Sequence, residues 1–110
     1  MANTYKILGQ AQPADTAVAD VYTVPAATQT VVSTITATNV DGTASDINIY
    51  VVPDGGTAGV ANALVYAAEL GANTVQAFTI GLTLGAAEKI SVQSATGSAV
   101  TYQVFGQEIS

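Results

Sequence analysis

From Thr28 to Val40 the chain alternates with a period of two. Val31, Ser33, Ile35 and Ala37 fall on one side, and Val32, Thr34, Thr36 and Thr38 on the other. The pattern predicts a half-buried strand with one mostly apolar face and one rich in threonine. Its β-branched residues suit a pleated surface and disfavour a helix. Pro25 cannot donate to a ladder, so a corner precedes this strand, with Ala26 to Gln29 forming the bend.

The same reading extends in both directions. Strands are predicted over Tyr5–Gln12, Val18–Val24, Asp46–Val52, Thr74–Leu84, Lys89–Ala95 and Ala99–Ile109. Turn signals separate them at Pro13–Thr16, Asp41-Gly42, Pro53–Gly56, Gly71–Asn73, Gly85–Glu88 and Thr96–Ser98. Within the first strand, Gly9 marks a bulge or a close backbone approach. Val60 to Leu70 fits two patterns: its alanines favour helix, and as a strand Leu64, Tyr66, Ala68 and Leu70 line one face. A glycine loop precedes it and no capping glutamate follows, so a strand over Ala63–Leu70 is the preferred reading. About eight short strands result, the pattern of an all-β protein: a single antiparallel β-sandwich of jelly-roll or Ig-like type. The 110 residues fit one domain over residues 1–110, with residues 1–12 as an N-terminal contact arm.

Composition narrows the function. Much of the 49% hydrophobic content is alanine and valine, and there is no tryptophan. The core is therefore thin, and contact with neighbouring copies is expected to add stability. Two lysines stand against eight acids, with no arginine and no histidine, for a net charge of −6. That balance argues against nucleic acid, whose phosphates require cations, and against anionic membranes. No apolar run is long enough for a membrane helix, and MANTYKILGQ lacks the basic flank and apolar core of a signal peptide.

Little chemistry is on offer. Without His, Cys or Arg, most catalytic constellations, disulfides and thiolate zinc sites are absent, so no enzyme activity and no cofactor are expected. Asp15, Asp41, Asp46, Asp54 and Glu88 lie in or beside turns, as solvated turn residues do. Asp41 with Asp46, or Asp54 beside Gly55-Gly56, supply oxygens without the D-x-D-x-D-G spacing of a calcium loop, so no metal is expected. Tyr50, Tyr66 and Tyr102 fall within strands, where a packed ring is the ordinary outcome; exposed, they would suit a carbohydrate-binding attachment module. The strand edges carry almost no lysine, which points to edges covered in an assembly.

Two stretches carry a resemblance. VYTVPAATQTVVSTI, Val21 to Ile35, resembles a strand–proline–strand signature, roughly LYTVPA-x-T-x-TVVSTI-x-x-N, of small virion structural proteins of tailed bacteriophages, especially aquatic and cyanobacterial ones. The asparagine falls later here, at Asn39. LTLGAAEKISVQSATGSAVTYQVFGQEIS resembles the ending of the same proteins, L-x-L-x-x-G-D-x-I-x-V followed by a hairpin and F-x-x-FG-x-E-I. Ala87-Glu88 stands at the Gly-Asp step, and Val104 precedes Phe105-Gly106. The opening ANTYKILGQAQPA fits as well. These motifs are structural and transfer no active site. The resemblance implies a virion protein, a head decoration or cement protein with a tail, neck or fibre adaptor as the alternative. Its partners would be the major capsid protein or other virion proteins. A symmetric homo-oligomer is expected, a trimer matching local capsid symmetry. Tyr5, Ile7 and Leu8, in the apolar N-terminal segment, are the expected interface residues.

Overall fold

The computed structural model describes residues 2–110; Met1, the first residue of the expected contact arm, lies outside them. The strands are β1 (Asn3–Ala11), β2 (Ala19–Thr23), β3 (Gln29–Asn39), β4 (Ser45–Val52), β5 (Ala63–Leu70), β6 (Val75–Phe78), β7 (Leu82–Leu84), β8 (Lys89–Ser94) and β9 (Val100–Ile109), with a 3-10 turn at Val60–Asn62. The ambiguous segment is thus a strand over Ala63–Leu70, entered through that single turn.

All pairings are antiparallel. A five-stranded sheet runs β1-β9-β3-β6, with β7 also on β3; a four-stranded sheet runs β2-β8-β4-β5. Successive strands cross from one sheet to the other, except along β4–β5 and β6–β7. With β6 and β7 taken as one interrupted strand, this is the eight-strand double Greek key of a jelly roll. An Ig-like order is excluded, because β1 and β2 lie in opposite sheets, whereas the first two Ig strands share one.

Two bulges shape the five-stranded sheet. In β1 the register slips between Ile7 and Gly9, leaving Leu8 as the extra residue. Gly9 then passes so close to β2 that a β-carbon there would strike the Val21 carbonyl oxygen. Both readings of Gly9 hold. In β3 the register against β9 slips between Val32 and Thr34. The extra residue, Ser33, donates its hydroxyl to the Phe105 carbonyl at 3.2 Å. Opposite it, Gly106 lies against the Val31 carbonyl oxygen, where any side chain would collide.

This second bulge corrects two expectations. It reverses the alternation of β3 halfway along. Thr30 and Val32 point inward before it and Ile35, Ala37 and Asn39 after it, while Val31 and Ser33 point outward. It also divides the strand expected over Thr74–Leu84. β7 pairs with Thr30–Val32 and β6 with Ile35–Thr38, so Thr79–Gly81 passes the bulge unpaired.

The core is aliphatic: Val32, Ile35, Ile47, Ile49, Ile90, Val92, Val100 and Val104 are all buried. Each such side chain contributes about 1.5–3 kcal/mol. One tyrosine from each sheet ties the layers together. Tyr102 on β9 is fully buried; its hydroxyl donates to the Gln93 carbonyl at 3.1 Å and shares a hydrogen with Ser94 Oγ, both on β8. Tyr22 on β2 reaches the other way, donating to Glu108 Oε2 at 2.6 Å and lying 2.7 Å from Thr30 Oγ1. Asn39, also fully buried, donates to the Thr43 and Leu70 carbonyls and accepts from the Asp41 amide. It holds the Asp41-Gly42 turn, which crosses between sheets rather than closing a hairpin.

Candidate functional site

The outward rows of the five-stranded sheet follow from the registers. Asn3, Tyr5, Ile7 and Gln10 lie on β1, opposite Ile109, Gln107, Phe105 and Gln103 of β9. The next row, on β3, holds Gln29, Val31, Thr34, Thr36 and Thr38. Thr83, Ala77 and Val75 complete the face on β7 and β6. None of these residues is charged. Asp15, Asp41, Asp54 and Glu88 lie in loops; Asp20, Asp46, Glu69 and Lys89 lie on the four-stranded sheet; Lys6 and Glu108 lie in inward-facing rows.

Toward the β1 end the face becomes apolar. Tyr5 is 77% exposed and Ile7 54%. Tyr5, Val31, Ser33, Phe105 and Gln107 line a shallow depression of about 300 Å³, and Lys6 is the one charged residue that reaches it. Within it, Gln107 Oε1 is buried and accepts no hydrogen bond from the chain. Of the three residues expected at an interface, Tyr5 and Ile7 share this face. Leu8, the bulge residue, is 9% exposed and belongs to the core cluster. The segment 3–11 is a docked edge strand, and paired Ala2–Ser110 hydrogen bonds of 2.8 and 3.0 Å fasten its start.

Beneath the face, Lys6 Nζ sits 2.9 Å from Glu108 Oε1. The Tyr22 hydroxyl first, and Lys6 second, hold the Glu108 carboxyl below its ordinary range. Burial, reinforced by Glu108, pushes the Tyr22 phenol up to about 12. Burial likewise pushes Tyr102 to about 12. These groups close the sandwich, and their hydrogen bonds are satisfied within it.

The outer face of the four-stranded sheet is different. Asp46 lies directly opposite Glu69, and Asp20 accepts from Ser91 Oγ at 2.7 Å and from Lys89 at 3.2 Å. Tyr50, named above as a stacking candidate, is only 4% exposed and donates to Gln93 Oε1 at 3.0 Å. Tyr66 is 56% exposed, beside Asp46, Asn48 and Gln93. It is presented by a bulge in which Ala67 takes φ 52 and donates its amide to Asn48 Oδ1 at 2.6 Å. Among the described residues no three His, Cys, Asp or Glu side chains gather as a metal site would need. The missed feature is the charge-free face. Its signal was present in the uncharged alternate positions of 29–38 and 101–109, but seeing one face required the strand order.

No family model matches the chain, and no curated protein matches it by sequence. Solved structures do. A chain of the T13 infectious bursal disease virus particle is 12% identical with a TM-score of 0.51, over 97% of this chain and 29% of that one. Chains in the structures of the Gx and Gt strains of the same virus are 13% and 11% identical, with TM-scores of 0.46 and 0.48, over 97% and 96% of this chain. This chain spans about 30% of the length of those it matches. At 12% identity, the likeness to the T13 particle chain shows a shared fold over nearly all of this chain.

Proposed function

We propose that this chain is a non-enzymatic structural protein of a virus particle, a head decoration or cement protein of a tailed bacteriophage. The charge-free outer face of the five-stranded sheet carries the reading. A protein of net charge −6 that keeps one whole sheet face without charge presents a surface that can be desolvated without burying an ion. The fold shared with a virus-particle chain supports the reading, as does the resemblance of residues 21–35 and 82–109 to phage virion proteins. The mechanism is mechanical. The face packs on the major capsid protein or another virion protein, and binding to the assembled state alone stabilises that state by mass action.

The test is cryo-electron microscopy of the intact particle. Density at every capsomer junction, with the five-stranded sheet toward the shell, is the expected result. Density confined to neck, tail or fibres would make the chain an adaptor, and its absence from the particle would overturn the proposal. A second reading rests on Tyr66, whose exposed ring beside Asp46, Asn48 and Gln93 suits stacking on a sugar. It requires glycan binding that Tyr66→Ala abolishes in a folded protein.

A further inference from the structure

The sandwich has four strand edges, and three are defended. β2 has five residues and a register shift. β5 is bulged at Tyr66–Ala67. The β6–β7 edge is broken at Thr79–Gly81. Short, bulged and interrupted edges do not template further pairing. The outer half of β1 is different: Asn3 to Ile7 pair with Ile109 to Phe105 without a slip, every residue of the run is exposed, and its one charge, Lys6, is paired with Glu108 on the inner side.

Which backbone groups are free follows from the ladder. Ala2 and Ser110 exchange both of their hydrogen bonds, so they form a hydrogen-bonded pair. In an antiparallel ladder such pairs alternate with non-hydrogen-bonded ones. Thr4 and Lys6 therefore bond to β9, while Asn3, Tyr5 and Ile7 turn their N–H and C=O groups away from it, at regular two-residue spacing. The side chains of the same three residues lie on the charge-free face.

We propose that this edge pairs with the same edge of a second copy, antiparallel and centred on Tyr5, joining two five-stranded sheets into one continuous sheet. This goes beyond the proposed virion role and does not depend on it. The pattern is self-complementary, as a two-fold contact requires. Tyr5 meets Tyr5 of the second copy, and Asn3 meets its Ile7. Both pairs, and the symmetry mate of the second, fall in hydrogen-bonded register. On the inner side Lys6 stands opposite Thr4 of the second copy, so no like charges are opposed, and each Lys6 keeps its own Glu108. A second copy is favoured over an unrelated strand because the edge fits itself without any change of register. The resulting oligomer is a dimer, or an even-numbered assembly of dimers, which differs from the trimer suggested by the resemblance.

The chain has no cysteine, so cross-linking reads the register directly. Hydrogen-bonded partners stand about 5.5 Å apart at Cα, within disulfide reach. Under mild oxidation Tyr5→Cys should give a covalent dimer. Asn3→Cys alone should not, but Asn3→Cys mixed with Ile7→Cys should give the mixed dimer. Tyr5→Pro removes a donor that faces away from β9. It should raise the dimer dissociation constant by about tenfold or more in sedimentation equilibrium, with the far-UV circular dichroism and melting of a folded chain. A protein that stays monomeric at high micromolar concentration overturns the proposal. So does an oligomer in which Tyr5→Cys fails to cross-link or Asn3→Cys links to itself.

Discussion

The two sheets of this jelly roll are built from similar strands and carry opposite surfaces. The five-stranded sheet shows threonine, glutamine, valine, isoleucine and two aromatic rings to the outside, with no charge. The four-stranded sheet shows Asp20, Asp46, Glu69 and Lys89, and even sets Asp46 against Glu69, a cross-strand arrangement that costs stability. A chain under pressure only to stay soluble would spread its acids over both. On the proposed reading, the uncharged face is the one that packs against protein and the charged face the one left in water.

The strongest way to break that comparison is to charge the quiet face. Thr36→Glu places a carboxylate at its centre, where packing against a partner would leave it desolvated and unpaired. Since that costs about 3–5 kcal/mol, the dissociation constant for the particle should rise by more than about a hundredfold. Glu69→Lys on the opposite sheet should leave occupancy unchanged. Equal binding by the two variants in a particle-depletion assay would remove the distinction between the faces.

Next in size is the framework that holds the quiet face. Gly106→Ala forces a methyl group against the Val31 carbonyl and should lower unfolding stability by about 1–3 kcal/mol, or more if the β3 bulge cannot adjust. Gly42→Ala, with open space around it, should change stability by less than about 0.5 kcal/mol. Denaturant titration of both checks this. The inter-sheet ties come third. Tyr102→Phe leaves the Ser94 hydroxyl without its buried partner and should cost about 1–3 kcal/mol, and Tyr22→Phe a similar or smaller amount, because Glu108 retains Lys6.

The pH response should come from the Tyr22–Glu108 end. The folded carboxyl of Glu108 lies below its unfolded value, so its contribution is complete above the ordinary carboxylate range and is lost as pH falls through the lower folded value. Tyr22 moves the other way, from 10.0 to about 12, so its contribution is complete below about 10 and is lost as pH rises through that window. Melting curves across both ranges should flatten at each end in Glu108→Gln and Tyr22→Phe respectively. The smallest effect is a gain. Glu69→Lys turns a repulsive pair into an attractive one and should add about 0.2–1 kcal/mol.

Much of the fold was legible in the chain. Pro25 marks a corner, Asp41-Gly42 and Gly85–Glu88 mark turns, and the preference for a strand over Ala63–Leu70 holds, since the helical turn that begins at Val60 and is capped by Asn62 on the Gly59 amide ends before Ala63. The side on which each expected interface residue lies was not legible. Tyr5 and Ile7 share the quiet face, but Leu8 follows them inward because the bulge makes it the extra residue. Ala87 is a related case. It stands where the resembled family carries glycine and takes φ 67, a left-handed conformation that a sequence pattern does not display.

The sequence alone determined that this chain is all-β, roughly where all but one of its expected strands lie, and that it lacks the residues for most catalysis. Period-two alternation and turn chemistry are local, so they need no partner to be read. Tertiary structure alone decided which strands share a sheet, where the alternation reverses at Ser33, why residues 74–84 break in two, and which face escapes charge. Each of those depends on a neighbour distant in the chain. Gly106 must lie beside Val31 for the bulge to form, and β1, β9 and β3 must be adjacent before their uncharged positions become one surface.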